Sequence, residues 1–343
     1  MRAIVYNRTG DSSVLELTDR AIVEPGPGEI RVRVVVSGVN PTDWKSRRGT
    51  GAGAAAGESV PNQDGAGVVD AVGPDVTGFA VGDRVWLAIS GWKRPASGTA
   101  QEYTVTRADR AFPLPDGVSF DAGANLGVPA ITAHRALTVS EDGPARLHPG
   151  ALSGSTVLVA GGAGAVGHAA IQLARWAGAT VVTTVSGAEK AALAAAAGAH
   201  HVVLYRDPDA VAQIRAVAPD GVDIVVEVAA GANAELDQAV THARSTIASY
   251  GNDGGVPLTI DFGRAISQNL RYQFVLIYTM GAEAWAAAGE DVTTAAGAGA
   301  LAIGEAAGLP LHRYPLEETA AAHDAVEAGV VGKVLIDVAR DAD

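Results

Sequence analysis

Two different spacings of apolar residues divide this chain. Over residues 1–124, apolar and polar positions alternate in short runs punctuated by Gly, Pro and Asp. Residues 30–36 alternate apolar with charged before turning wholly apolar, and similar runs follow at 65–73, 81–89 and 101–106. Turn signals at roughly 8–12-residue spacing predict a small antiparallel barrel or sandwich. Residues 49–57 are Gly- and Ala-rich without either period, and are expected to form a mobile loop. From about residue 125 the period becomes that of strands alternating with helices. Strands are predicted at 156–160, 180–185, 201–204, 222–226 and 245–250. Helices are predicted at 128–137, 166–176, 188–197, 210–217 and 234–243. That alternation implies βαβ units and a parallel sheet. Apolar 272–278 reads as one more strand at a sheet edge. The tail, 315–338, reads as a helix then a strand that returns to the first domain. The expected domains are therefore 1–124 with 310–343, and 125–309 between them.

One segment carries explicit chemistry. Strand 156–160 runs into Gly161-Gly162-Ala163-Gly164-Ala165-Val166-Gly167 and then into an apolar helix. Glycines let the backbone approach a pyrophosphate, and a helix start offers free N–H groups and a positive dipole end. With 42 Gly in 343 residues, about 0.6 matches to G-x-G-x-x-G arise by chance, so the strand and helix around the motif carry the inference. Gly162, Gly164 and Gly167, with Ala165 and Val166, are the candidate pyrophosphate contacts.

Composition narrows the rest. The net charge of −13 argues against a nucleic-acid or anionic-membrane surface. No apolar run is long enough to span a bilayer, and the first residues read as a strand rather than a signal peptide, so a cytoplasmic enzyme is expected. Cysteine is absent, which excludes disulfides, thiolate zinc sites and cysteine nucleophiles. The eight His form no pair at helical i, i+4 spacing. Lysine occurs only at 45, 93, 190 and 333.

Several segments, in order along the chain, resemble one family. They are Ser37-Gly-Val-Asn-Pro-Thr-Asp43, Val60-Pro-Asn-Gln-Asp-Gly-Ala-Gly-Val-Val69, Val76-Thr-Gly-Phe-Ala-Val-Gly-Asp-Arg-Val85, 160–167, 183–190, 314–323 and Gly332-Lys-Val-Leu-Ile336. The chain resembles the medium-chain dehydrogenase/reductase superfamily and, within it, the zinc-free quinone oxidoreductases related to zeta-crystallin. The resemblance implies an α/β fold: a doubly wound Rossmann domain beside a GroES-like β-barrel domain, with the active site in the cleft between them. Positions resembling two zinc-ligand sites of the alcohol dehydrogenases carry Asn40 and Gln63. Without a Lewis acid an alcohol loses its usual route to an alkoxide. Reduction of a quinone or an α,β-unsaturated carbonyl needs less help, because charge delocalises onto an oxygen that hydrogen-bond donors can hold.

An NAD site places Asp or Glu about 20 residues after the glycines. Here the next strand ends at Ser186, which can donate a hydrogen bond, and Lys190 lies one turn on. NADPH is therefore the expected cofactor, an ordinary surface lysine being the alternative. Arg206 can assist Lys190. The resemblance adds Tyr205 on the adenosine side, Thr132 near the nicotinamide, the backbone of Phe274, Val275 and Leu276 at the carboxamide, and Lys333 from the returning tail. At the acceptor, Asn40 and Thr42 sit on a turn entering a helix, with Asp43 as its expected N-cap. Asn40-Pro41 is either a plain turn or the group that faces the nicotinamide and acceptor oxygen. Lys45 either polarises a carbonyl or is a solvated helix residue. Trp86, Trp92, Tyr250 and Tyr278 are candidate walls of the acceptor pocket.

The leading expectation is an NADPH-dependent, zinc-independent oxidoreductase that reduces quinones or enones by direct hydride transfer. The alternatives are an enoyl-thioester reductase of natural-product assembly, for which Arg47 and Arg48 suggest a basic mouth, and a non-catalytic NADPH-binding structural protein. The apolar strand 272–278 needs a partner, so a homodimer is expected.

Overall fold

The computed structural model describes residues 1–50 and 57–339. The core of the expected loop, 51–56, lies outside the described residues. Along the chain run β1 (Arg2–Val5), β2 (Glu16–Asp19), β3 (Glu29–Val39), β4 (Asp64–Val72), β5 (Arg84–Leu87), β6 (Tyr103–Arg107) and β7 (Ala111–Pro113). Then come β8 (Thr156–Ala160), β9 (Thr180–Val185), β10 (His201–Leu204), β11 (Val222–Glu227), β12 (Thr241–Ser249) and β13 (Arg271–Phe274), and last β14 (Leu311–Pro315) and β15 (Lys333–Asp337). The chain divides into two compact units, Met1–Val128 with Pro310–Asp343, and Pro129–Leu309.

The first unit is built on β3. Its burial alternates and then becomes continuous, matching the sequence period, because its second half is covered on both faces. The sheet order is β14-β15-β3-β4-β5-β7, with β6 also pairing β3. The last strand therefore returns, antiparallel, onto β3, with Val334 opposite Val39 and Ile336 opposite Ser37. Ile30, Val32, Val69, Val85 and Leu87 form one core cluster, and Ile4, Val34, Val39, Val334 and Ile336 belong to another. Each such side chain contributes about 1.5–3 kcal/mol on burial. Trp86, expected at a pocket wall, is fully buried and stacks on Phe112 with ring centroids 4.5 Å apart. It is a core residue because β5 points it inward opposite Phe112 on β7.

The second unit holds a parallel sheet in the order β10-β9-β8-β11-β12-β13. This is the doubly wound order, with the reversal between β8 and β11. Three expected elements differ. The helix after β11 is Ala230–Val240, so it starts earlier, and Thr241–Ala243 already belongs to β12. The expected helix 128–137 is interrupted: Leu126–Ala130 is a π turn containing Pro129, with Gly127 at ψ −106°, and only Ile131–Leu137 is α-helical. Proline removes an N–H and its ring clashes with the preceding turn, so a regular helix cannot pass. The last strand of the sheet stops at Phe274, and Ile277–Thr279 is a 3₁₀ turn. Its neighbour β12 ends at Ser249, which leaves nothing to pair with further on.

Candidate functional site

The turn after β8 is shaped by two glycines. Gly161 has φ +69°, a left-handed conformation that disfavours residues with a Cβ. At Gly167 a Cβ would stand 2.3 Å from the Gly161 carbonyl oxygen, so only glycine lets the helix start this close to the strand end. Helix Ala165–Trp176 begins at N-cap Gly164, with no side-chain cap and no acidic residue in its first turn. Its first amides have no intrahelical acceptor, and Ala165 and Val166 are partly exposed. This donor set suits an anionic group. Sequence reasoning had passed over Gly161; its doublet with Gly162 was the available signal.

The neighbouring strand ends bring the other candidates to the same sheet edge. Ser186 follows β9 and is partly exposed, and Lys190 is the third residue of helix Ala188–Ala196, whose N-cap is Gly187. Glu189, in the same turn, is exposed. Tyr205 follows β10, its amide donates to the Val185 carbonyl at 3.1 Å, and the Arg206 guanidinium lies 5.7 Å from its ring centre. Gly162, Gly164, Ala165, Val166, Gly167, Ser186, Lys190 and Tyr205 thus share the carboxyl ends of three adjacent strands. Phe274–Leu276 stand at the carboxyl end of β13, beyond β11 and β12. Thr132 is buried in helix Ile131–Leu137 of the same unit. The residues fit a dinucleotide: donors at the helix start, and a hydroxyl and an ammonium beside the next strand end.

In the first unit, helix Pro41–Arg48 is capped by Asn40 rather than by Asp43. Asp43 sits at the third helical position and its carboxylate accepts from the Asn40 backbone N–H at 2.7 Å. Both ends of the Asn40 amide are engaged: Nδ2 donates to Asp64 at 2.7 Å, and Oδ1 accepts from the Lys333 ammonium at 2.7 Å. The Val128 amide donates to the same Asp64 oxygen at 2.8 Å. Asn40, Asp43, Asp64 and Lys333 are all at most 3% exposed. Burial pushes the Asp43 carboxyl up to about 8, with Asp64 adding repulsion. Burial also pushes Asp64 up to about 6 against the pull of Lys333, and it lowers the Lys333 ammonium against the pull of both carboxylates. Lys333 therefore stands behind Asn40 rather than open to solvent. Thr42 and Lys45 lie on the helix beyond and are partly exposed, and Lys45 Nζ stands 5.6 Å from the Trp44 ring centre. Arg47, expected at a basic mouth, is fully buried, and with Arg48 it pairs Glu327.

A tetrahedral zinc site is poorly served by this donor set. The chain has no cysteine, one oxygen of Asp64 already accepts from an amide and a backbone N–H, and the Lys333 ammonium sits behind Asn40. Among the described residues no cluster of three or more His, Asp or Glu can hold a metal.

Comparison with known proteins gives a consistent picture. Residues 26–116 match the family described as "Alcohol dehydrogenase GroES-like domain", and residues 165–294 match "Zinc-binding dehydrogenase". The chain is 30% identical to the quinone oxidoreductase of Lama guanicoe, over 98% of this chain and 97% of that one. It is 35% identical to a trans-enoyl reductase of Pyricularia grisea, over 59% of this chain and 54% of the other. A crystal structure of Escherichia coli quinone oxidoreductase complexed with NADPH superposes with a TM-score of 0.78 at 25% identity, covering 98% of this chain and 100% of that one.

Proposed function

Because the chain belongs to the medium-chain dehydrogenase/reductase family, among the quinone oxidoreductases, we propose that it is an NADPH-dependent reductase of quinones and α,β-unsaturated carbonyls that works without zinc. The observation that carries this reading is the strand edge on which an uncapped, acid-free helix start adjoins Ser186 and Lys190. A 2′-phosphate there meets a hydroxyl and an ammonium, and the residue ending β9 is not a carboxylate.

When bound, the reduced nicotinamide supplies a hydride. The chain binds and orients. The first amides of helix Ala165–Trp176 would hold the pyrophosphate, Ser186 and Lys190 the 2′-phosphate, and Tyr205 the adenosine. Thr132 and the backbone of Phe274–Leu276 would hold the nicotinamide end. On the acceptor, hydride arriving at carbon drives an electron pair onto the conjugated oxygen. The Thr42 hydroxyl and the Lys45 ammonium are the groups we assign to hold that charge, and the Lys45 Nζ proton can neutralise it. Asn40 and Lys333 act through the loop that they fix. Electron-poor acceptors need no stronger electrophile than this, which agrees with a donor set that does not suit zinc.

A trans-enoyl reductase among the relatives favours a second reading, the reduction of enoyl thioesters. Of the basic mouth that this reading invoked, Arg47 is buried and paired to Glu327, while Arg48, also paired to Glu327, and Lys45 keep some exposure. The exposed Phe274 and Leu276 at the edge of the sheet support a homodimer.

NADPH consumption against quinones, enones, alkenals and enoyl thioesters tests the assignment. Turnover is expected to be fastest with quinones or enones and unchanged by a chelator. Turnover confined to thioesters selects the second reading, and none with any acceptor leaves a non-catalytic NADPH-binding protein.

A further inference from the structure

The second unit buries a histidine against a carboxylate from a distant part of the chain. His134, on helix Ile131–Leu137, and Asp291, on helix Ala282–Gly297, are 1% and 5% exposed. His134 Nε2 stands 2.8 Å from Asp291 Oδ2, and the Leu147 backbone N–H donates to the same oxygen at 2.7 Å. Arg146 closes the outer side, its Nε and Nη2 donating to Oδ1 at 2.8 and 2.6 Å. Burial pushes the Asp291 carboxyl up, but the bonds from His134, Arg146 and the Leu147 N–H outweigh it and hold the group down to about 2. The carboxylate is therefore an acceptor, and Nε2 carries the ring proton toward it. Nδ1 is buried without a partner, so among the described residues the ring is bonded to Asp291 alone.

Each partner belongs to an element that reaches the carboxyl end of the sheet. The chain leaving helix Ile131–Leu137 is pinned near the start of β13: Glu141 pairs Arg271, and the Ser140 hydroxyl accepts at 3.1 Å from Thr246, which lies opposite Arg271. From there the helix runs back by about 10 Å over its 7 residues. Its start, with Thr132, therefore lies toward the end of β13, and the 3₁₀ turn Ile277–Thr279 packs on it. Helix Ala282–Gly297 follows that turn and carries Asp291. Thr132 and His134 are two residues apart and leave the helix in different directions, so His134 acts through the helix and not on what Thr132 touches. The helix has no side-chain N-cap, and Pro129 interrupts the turn before it. Its own sequence does little to fix where it starts, and a surface pair such as Glu141–Arg271 is worth little.

We propose that His134 and Asp291 are positioning residues of the nucleotide site: their hydrogen bond clasps helix Ile131–Leu137 to helix Ala282–Gly297 and so sets Thr132 beside Phe274–Leu276, the groups assigned to the nicotinamide. The inference rests on the dinucleotide reading of this unit. The groups assigned to the other half of the ligand stand elsewhere. Ser186 and Lys190 follow β9 and Tyr205 follows β10, whereas Phe274 ends β13 at the opposite edge of the sheet. The clasp therefore serves one half of the ligand. When it is weakened, the nicotinamide half loses its contacts while the adenosine half keeps its own.

Calorimetric dissociation constants for two ligands test this: NADPH, and adenosine 2′,5′-bisphosphate, which keeps the 2′-phosphate and lacks the nicotinamide. His134→Phe is expected to weaken NADPH ten-fold or more and the bisphosphate less than two-fold. His134→Gln offers Asp291 an amide N–H in place of Nε2–H, and its NADPH affinity should return to within about three-fold of wild type. Should His134→Phe fail to fold, Asp291→Asn, which turns an amide nitrogen toward two of the four donors, is expected to give the same split between the ligands. Equal losses for both ligands mark a pair that only stabilises the unit and overturn the proposal. An unchanged NADPH affinity in the folded variant overturns it as well, as does a His134→Gln protein as weak as His134→Phe. A wild type that binds neither ligand overturns the cofactor reading and this role with it, whereas loss of the split alone overturns only the clasp.

Discussion

At the scale of single residues, two sites illustrate different physics. Lys190 stands in the first turn of a helix, and the role proposed for it, a point charge on a 2′-phosphate, is specific to the ligand. Lys190→Ala is expected to raise the Michaelis constant for NADPH at least ten-fold while changing that for NADH less than two-fold, measured with one acceptor under steady state. Equal changes would remove the 2′-phosphate assignment. Asp64 acts through burial. Its carboxyl is raised to about 6 and that of Asp43 to about 8, against an unfolded value near 3.9. A raised acid contributes stability that is complete below about pH 4 and fades as pH climbs through the folded values. The unfolding free energy should therefore decline from about pH 4 to about pH 8, and Asp64→Asn should remove the part of the decline that ends near pH 6. Asp64→Ala, which strands the Asn40 amide and the Lys333 ammonium, is expected to cost about 3–5 kcal/mol by denaturant titration. None of this was legible from spacing. Asp64 is 24 positions from Asn40, and Lys333 is 293 from it, so only the fold reveals that they form one unit. A lone carboxylate in the small-residue run Gln63-Asp64-Gly65 was the one visible sign.

At the scale of elements, the sequence pattern served well where local cues were complete. Strands β8, β9 and β10 and helix Ala210–Val217 lie at their expected bounds, because apolar runs there end at Gly or at polar turn residues. It failed where a start signal was tertiary. Helix Ala230–Val240 has no side-chain N-cap, and what fixes its first turns is Asn233 reaching back to Glu227, which no helix-start rule anticipates. The strand edge to which the nucleotide is assigned could be drawn from the sequence because its pieces follow one another, each at the end of a strand. The glycine turn makes the sharpest prediction at this scale. Gly167→Ala pushes a methyl into the Gly161 carbonyl, and overpacking of this kind costs about 1–3 kcal/mol. Nucleotide affinity should drop at least ten-fold by fluorescence titration, because the first helical amides are displaced with the turn.

At the scale of the whole molecule, the distribution of exposed apolar groups is uneven. Val256, Ile260, Phe262, Ile266, Phe274 and Leu276 are each at least 40% exposed, and all fall in the stretch that leads into and out of the edge strand β13. An unpartnered edge of this kind pairs with another chain unless charge or proline blocks it. Light scattering at micromolar concentration should report a dimer, and Phe274→Lys should shift it to monomer while leaving each chain folded by circular dichroism. No helix among the described residues is long and apolar enough to cross a membrane.

The return of β15 onto β3 also sets an order of events at the ribosome. The second unit, Pro129–Leu309, is a continuous stretch and has all its strands in hand before β15 is made. The first unit does not. Its longest strand, complete at Val39, waits with one edge bare while roughly 290 further residues are made before Lys333, at a pace of about 5–20 per second. For that interval the amino-terminal third of the chain is a half-finished sheet offering β3 to any passing strand. A nascent chain that stalls before Lys333 has no means of closing it, so aggregation of truncated products should begin from the first unit even though the missing residues belong to the last.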